Sequence, residues 1–281
     1  MLAAMTTLLR AAMADGYALG AFNVYNLEGV RAVISAAEAT RSPVMLQIHP
    51  SALQYGGQPL VALCLAAARV ATVPVAVHLD HSASAGDIRA ALEAGVTSVM
   101  ADGSHLPYLD NVAFTRDMVA LAHAHQAAVE AELGRLSGTE DGLSIPAYEA
   151  KLTDPTQAAD FVHQTEIDAL AVCIGNVHGH YRSEPQLDFE RLAAIHRTVP
   201  VPLVLHGTSG LPDTMVQHAM RLGVCKFNVN TEVREAYIGT LRECLQGPKV
   251  PDLLDLMRRA ETAMQAVVTA RLHLFGAVGK G

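Results

Sequence analysis

The stretch Val75-Ala-Val-His-Leu-Asp-His81 starts as a buried strand and ends in ionisable groups. A buried carboxylate without a partner is costly, and a lone imidazole gains little in a core. Either His78 and Asp80 form a satisfied buried pair, or this strand end is where chemistry happens. Strand alternation puts Ala76, His78 and Asp80 on one face and Val75, Val77 and Leu79 on the other. His81 then opens the loop. Two more histidines stand in comparable places, His178 after Gly175-Asn-Val177 and His206 after Leu203-Val-Leu205. Each of the three follows a different apolar run and neighbours a glycine or another small residue. Three converging neutral imidazoles make a catalytic zinc set with an open fourth position. Three unrelated polar loop residues are the alternative.

Other reactive side chains share the pattern. Asn23, Asp102, Glu130 and Glu132 each close an apolar run. His206-Gly-Thr-Ser-Gly210 and Asn228-Val-Asn-Thr231 pair a glycine turn with a helix start. Backbone N–H groups of that kind hold phosphate. Ser209 and Thr231 add hydroxyl donors, although Thr231 is also a fair helix N-cap.

The elements that must position these groups alternate. Strand-like runs cover 19–23, 43–48, 74–80, 97–101, 127–133, 169–173, 202–206 and 225–229. Helical patterns cover 27–40, 58–71, 84–95, 111–125, 155–165, 188–197, 212–222 and 231–246. Parallel strands need such long connections. Eight βα units in one chain predict an α/β fold, a (β/α)8 TIM barrel over residues 1–281, whose strand ends carry the site. A doubly wound sheet is the rival, but no Gly-x-Gly-x-x-Gly follows the first strand. Leu2, Met5, Leu8, Leu9 and Ala12 predict an N-terminal helix, and 251–273 predicts an extra C-terminal one. Two glycine-rich loops, 134–146 and 175–185, are too long for plain connectors.

Composition narrows the function. The chain has 281 residues, 51% of them hydrophobic, and a net charge of −8. No dense Lys/Arg run exists, so nucleic acid is not an expected partner. No stretch is long and apolar enough for a membrane span, and no cleaved leader is expected. The four cysteines, Cys64, Cys173, Cys225 and Cys244, form no CxxC pair. They suit a reducing, cytoplasmic setting.

Several motifs in order resemble the class II, zinc-dependent ketose-bisphosphate aldolases, which include fructose- and tagatose-bisphosphate aldolases. They are His78-Leu-Asp-His81, Asp102-Gly-Ser-His-Leu-Pro107, Glu130-Ala-Glu-Leu-Gly134 with Glu140-Asp-Gly142, Gly175-Asn-Val-His-Gly179 and Leu205-His-Gly-Thr-Ser209. The resemblance implies Zn2+ on His81, His178 and His206, with Asp102 and Glu132 able to hold it in an inward position. It implies Asp80 as the proton carrier beside the metal and Glu140 as the residue that exchanges the proton on the nucleophilic carbon. It implies a dihydroxyacetone-phosphate cradle of Gly179, Gly207, Ser209, Asn228 and Thr231, with Asn23, His49, Arg182, Thr208 and Asn230 also facing substrate. A monovalent cation accompanies that phosphate in some relatives. The implied partner is a phosphorylated sugar, and the implied assembly is a homodimer or homotetramer.

Departures from the family pattern lie at the substrate's ends. His49 stands where Ser is expected and Arg182 where Lys is expected. Leu254 stands where many members carry the Arg that serves a distal phosphate. Two other readings compete. One is a non-catalytic sugar-phosphate-binding relative, which has no need of both Asp80 and Glu140. The other is a barrel metal hydrolase with Asp80 as base.

Overall fold

Seven of the eight strands that form the barrel are buried at every residue, which is why they read as apolar runs rather than alternating ones. The computed structural model describes residues 1–140, 143–181, 183–247 and 251–281. The side chains of Glu140 and Leu143 also lie outside the described set. The barrel strands are β1 (Leu19–Asn23), β2 (Val44–Ile48), β3 (Val75–Ser82), β4 (Ser98–Ala101), β5 (Ala128–Leu133), β8 (Ala169–Val172), β10 (Leu203–Leu205) and β11 (Val224–Val229). All pair in parallel, in the closed order β1-β11-β10-β8-β5-β4-β3-β2. The chain is therefore a (β/α)8 TIM barrel.

Its outer helices are α2 (Leu27–Thr40), α3 (Pro50–Val70), α4 (Ala85–Ala94), α5 (Tyr108–Ala124), α6 (Pro155–Thr165), α7 (Phe189–Thr198), α8 (Asp213–Arg221) and α9 (Thr231–Gln246). Most starts are written in the sequence. Asn26, Ser84, Asp154, Asp188 and Asp252 each accept from a backbone N–H in the first turn. Each such cap stabilises its helix by about 1 kcal/mol. The expected N-terminal helix is α1 (Met5–Asp15), which buries Met5, Leu8, Leu9 and Ala12 against β1 and β11. The expected C-terminal helix is α10 (Leu253–Leu274), packed along α2 and α9.

Two expectations need correcting. The third helix starts at Pro50 rather than near residue 58, with a break at Gly57, where φ is 56°. Pro50, Gly57 and Pro59 made its first half read as loop. The segment after β5 is not a plain loop either. It holds β6 (Ser137–Glu140) and β7 (Leu143–Ile145), paired antiparallel. A two-residue strand, β9 (Val177–His178), joins β6 in parallel. Gly138 of β6 pairs with His178, and any Cβ there would come within 2.2 Å of the His178 carbonyl oxygen. This three-stranded sheet, not a barrel strand, carries His178.

Candidate active site

The barrel interior is polar toward its C-terminal end. Asn23, Gln47, His78, Asp80, Glu130, Glu132, His206, Lys226 and Asn228 are all buried. Polar groups survive burial by pairing. Gln47 Nε2 donates to Asn23 Oδ1 at 3.1 Å, and Asn23 Nδ2 donates to Asp80 Oδ2 at 2.8 Å. Asn228 Nδ2 donates to Asp80 Oδ1 at 3.2 Å. Both oxygens of Asp80 are thus held by amides. His78 is not Asp80's partner: its Nδ1 lies 2.9 Å from Ser98 Oγ.

The strand expected to end at residue 80 runs on to Ser82, so His81 belongs to β3 rather than to a loop, and β3 carries an irregularity there. Leu79 pairs with Val99 and Ser82 with Ala101, so β3 spends one residue more than β4. His81 takes φ 39°, a left-handed value rare for a residue with a side chain. Such a bulge re-aims a side chain. Here it leaves Asp80 on the amides while His81 joins the other histidines.

The three imidazoles converge. His81 and His206 have ring centroids 4.6 Å apart, His81 and His178 4.9 Å, and His178 and His206 6.2 Å. Their ligand atoms lie within 4.8 Å of one another. His81, Asp102 and Glu132 form a second such group. Carboxylates fix two of the rings. His81 Nδ1 sits 2.8 Å from Asp102 Oδ2, and His206 Nε2 sits 2.8 Å from Glu130 Oε1. That leaves His81 Nε2 and His206 Nδ1 buried with no hydrogen-bond partner, along with Glu132 Oε2. Glu132 Oε2 approaches His206 Nδ1 only to 3.4 Å.

Charge points the same way. Four carboxylates, Asp80, Asp102, Glu130 and Glu132, gather around the histidines, and Lys226 Nζ lies 2.8 Å from Glu130 Oε2. That contact is an ion pair by distance, without hydrogen-bond alignment. Burial raises the Asp80 pKa, but His81, His206 and Lys226 outweigh it and hold the group at about 2. Burial alone would lower His81, yet Asp80 and Asp102 raise it well above the ordinary imidazole range. Orphaned imidazole nitrogens in a carboxylate-rich cluster fit a divalent cation, with carboxylates orienting the ligands as metal sites require. Three imidazoles suit zinc, with a position left open.

Beside the cluster runs a cleft of about 930 Å3, whose lining includes His178, Gly179, Thr231 and Arg234. Gly179 lines it, and Gly207 packs behind its lining residue Val177. A Cβ at Gly207, where φ is 65°, would come within 2.0 Å of the Val177 carbonyl oxygen. One at Gly179, where φ is 77°, would come within 2.7 Å of the Thr139 oxygen. Thr208 Oγ1 donates to the Asn228 carbonyl at 2.6 Å, and Ser209 is buried beside it in sequence. Asn230, not Thr231, holds the N-cap position of α9, but its side chain caps no backbone N–H. Its Oδ1 accepts from Tyr25 Oη at 2.9 Å instead. Thr231, the first residue of α9, lines the cleft, and a helix N-terminus there favours an anion.

His49 is the N-cap of α3, with Nδ1 2.8 Å from Ser51 Oγ. It lines a small pocket of about 40 Å3 together with His81, Asp102, Glu132 and His178. Arg182 and the Glu140 side chain lie outside the described residues. Sequence reasoning marked Glu130 as a strand-end carboxylate without giving it a role, and gave none to Gln47 or Lys226. The signal was parity: Glu130 shares a strand face with Glu132, and Lys226 with Asn228.

Comparisons with known proteins converge. The family of class II fructose-bisphosphate aldolases matches residues 3–280. A Coccidioides immitis protein assigned as a candidate fructose-1,6-bisphosphate aldolase is 38% identical, with a TM-score of 0.93 over 98% of this chain and 97% of that one. The YdjI aldolase from Escherichia coli K12 is 37% identical, with a TM-score of 0.89 over 100% of this chain and 99% of that one. A fructose-bisphosphate aldolase from Campylobacter jejuni shares the fold, at 24% identity and a TM-score of 0.85 over 100% and 97% of the two chains.

Proposed function

Because the chain belongs to the class II fructose-bisphosphate aldolase family, we propose that it is a metal-dependent aldolase that cleaves and forms the C3–C4 bond of a ketose phosphate. The observation that carries this reading is the Asp80 carboxylate, gripped by two amides and covalently adjacent to His81 of the imidazole cluster. His81, His178 and His206 would hold Zn2+, with Asp102 and Glu132 offering an inward alternative. Bound there, the ion would act as a Lewis acid on the substrate's oxygens and stabilise the negative charge left when the bond breaks.

The side chains supply the rest. Asp80, kept ionised, takes the C4 hydroxyl proton as the aldehyde half leaves. The bonding electrons stay on C3, and Glu140 protonates that carbon. Run backward, Glu140 takes the C3 proton and Asp80 returns its own to the C4 oxygen; forward turnover closes when Asp80 loses its proton to solvent and Glu140 regains one. Gly179, Gly207, Thr208, Ser209, Asn230 and Thr231 cradle the phosphate, where the α9 N-terminus favours an anion. A monovalent cation beside that phosphate is compatible with the reading. Asn23 and Asn228 orient Asp80 and face the substrate's oxygens. His49 and Arg182 shape recognition of its ends.

The chain is read as one barrel domain working in a reducing, cytoplasmic setting. Its four cysteines are free thiols, and no described helix is long and apolar enough to cross a membrane. Exposed Ile238, Leu245, Leu253 and Leu254 on α9 and α10 support a homo-oligomer, which light scattering would count. The deciding experiment incubates zinc-loaded protein with a panel of ketose mono- and bisphosphates. Release of dihydroxyacetone phosphate plus an aldehyde is the expected result. Metal binding without any cleavage would favour a non-catalytic relative.

A further inference from the structure

Lys226 is fully buried on β11. An apolar side chain would fill that place at far lower desolvation cost. The residue lines neither the main cleft nor the small pocket by His49. It sits one inward-facing position deeper than Asn228, with Val204 and Leu19 as its strand neighbours.

Its contacts explain the expense. Nζ donates to Asn228 Oδ1 at 2.6 Å and lies 2.8 Å from Glu130 Oε2. An ammonium only donates. Asn228 must therefore present its oxygen to Lys226, which turns Nδ2 toward Asp80 Oδ1. A flipped amide would set NH2 against the ammonium and C=O against the carboxylate. On the opposite side, Lys226 claims Oε2 of Glu130, leaving Oε1 for His206 Nε2 at 2.8 Å. The proton then rests on Nε2, and the lone pair of Nδ1 faces the imidazole cluster, where it has no other partner.

We propose that Lys226 is a positioning residue whose single ammonium orients both halves of the site, the Asn228 amide that steers Asp80 and the Glu130 carboxylate that sets the His206 tautomer. The assignment of those halves rests on the aldolase reading above. Lys226 itself is no nucleophile, because its ammonium is hydrogen-bonded to Asn228, ion-paired with Glu130 and lines neither cavity.

The alternative is that Lys226 only neutralises buried Glu130. Two variants separate the roles. Lys226→Met should weaken Zn2+ or Co2+ affinity about ten- to a hundredfold, the usual loss when an outer-shell partner goes. At saturating metal its kcat should still fall about tenfold or more, with KM changed far less. Lys226→Met combined with Glu130→Gln removes both charges. Thermal stability and metal affinity should recover, since Gln can still accept from His206. The kcat at saturating metal should stay low, because Asn228 is untethered. Recovery of kcat in the double variant would reduce Lys226 to charge balance and overturn the proposal. So would wild-type kcat in metal-saturated Lys226→Met. Should Lys226→Met not fold, Lys226→Gln serves, since its amide can donate to one acceptor while leaving the other without the ammonium; unchanged metal affinity and kcat there would also overturn the proposal. Two readouts need no turnover: metal affinity, and a crystal structure of the variant showing whether Asn228 leaves Asp80. A wild-type chain that binds metal but cleaves nothing would sink the aldolase reading. The orienting role would then stand or fall on those two readouts, and an unmoved Asn228 with unchanged metal affinity would overturn it.

Discussion

His81 Nδ1 lies 2.8 Å from Asp102 Oδ2, so the ring's other nitrogen, buried and unpartnered, is the one turned into the cluster. Asp102 in turn accepts from the Ser104 backbone N–H at 3.1 Å. Asp102→Asn should weaken metal binding about ten- to a hundredfold, because it dulls the group that sets the ring's tautomer and basicity. A chelator-competition titration reads this directly.

Removing the metal should abolish cleavage, and zinc should restore it. His81→Ala, His178→Ala and His206→Ala should each lose the ion, because each deletes one of three converging imidazoles. Metal content after dialysis, beside activity, checks both statements. Full turnover in metal-free protein would refute the mechanism.

Asp80→Ala should keep fold and metal yet lose cleavage by roughly two orders of magnitude or more, the scale of a general acid/base. The variant's rate at saturating zinc is the test. Near-normal turnover would mean another proton carrier.

His78 gives a pH signature. Burial, then the charge of Lys226, lowers its pKa from 6.5 to about 3. The native state thus refuses a proton that the unfolded chain accepts. Stability from this group is present above pH 6.5 and is lost as pH falls toward 3, by up to about 1.4 kcal/mol per pH unit. Asp80 is depressed as well, but its loss begins lower, near the ordinary carboxylate range. The raised His81 group changes its contribution only above pH 6.5. Urea melts of wild type and His78→Gln between pH 6.5 and 4.5 should therefore diverge, with the variant falling less steeply.

Substrate ends should show altered recognition. Leu254, 58% exposed in the first turn of α10, stands where the family pattern puts an arginine. Losing one charged hydrogen bond of about 1.5–3 kcal/mol weakens a distal phosphate roughly ten- to a hundredfold. Fructose 1-phosphate should accordingly gain on fructose 1,6-bisphosphate when their kcat/KM values are compared. A strong bisphosphate preference would mean that another cation takes the missing arginine's place.

The barrel was legible because β1, β2 and β11 are buried on both faces, and such strands announce themselves as apolar runs. The histidine trio was legible for a related reason: polar residues closing apolar runs mark one end of the barrel. Pairing was not legible. Period-two logic places Asp80 inward and leaves His81 to the loop, and nothing in Leu79-Asp-His81 spells a strand that runs on to Ser82 through a bulge. Glu130 and Lys226 lie far apart in sequence, so only the closed barrel reveals that they meet. The β6–β7 hairpin is short and polar, Ser137-Gly-Thr-Glu140 and Leu143-Ser-Ile145, and carries too little pattern to separate it from a loop.

Asp80 and His81 are joined by one planar peptide unit, which keeps their α-carbons about 3.8 Å apart whatever the barrel does. Most other spacings in the site span different strands and drift as those strands breathe. The reach from Asp80 to His81 is instead anchored by covalent geometry. Thermal motion or a distant core mutation can shift the pair as a unit, but cannot pull its backbone anchors apart.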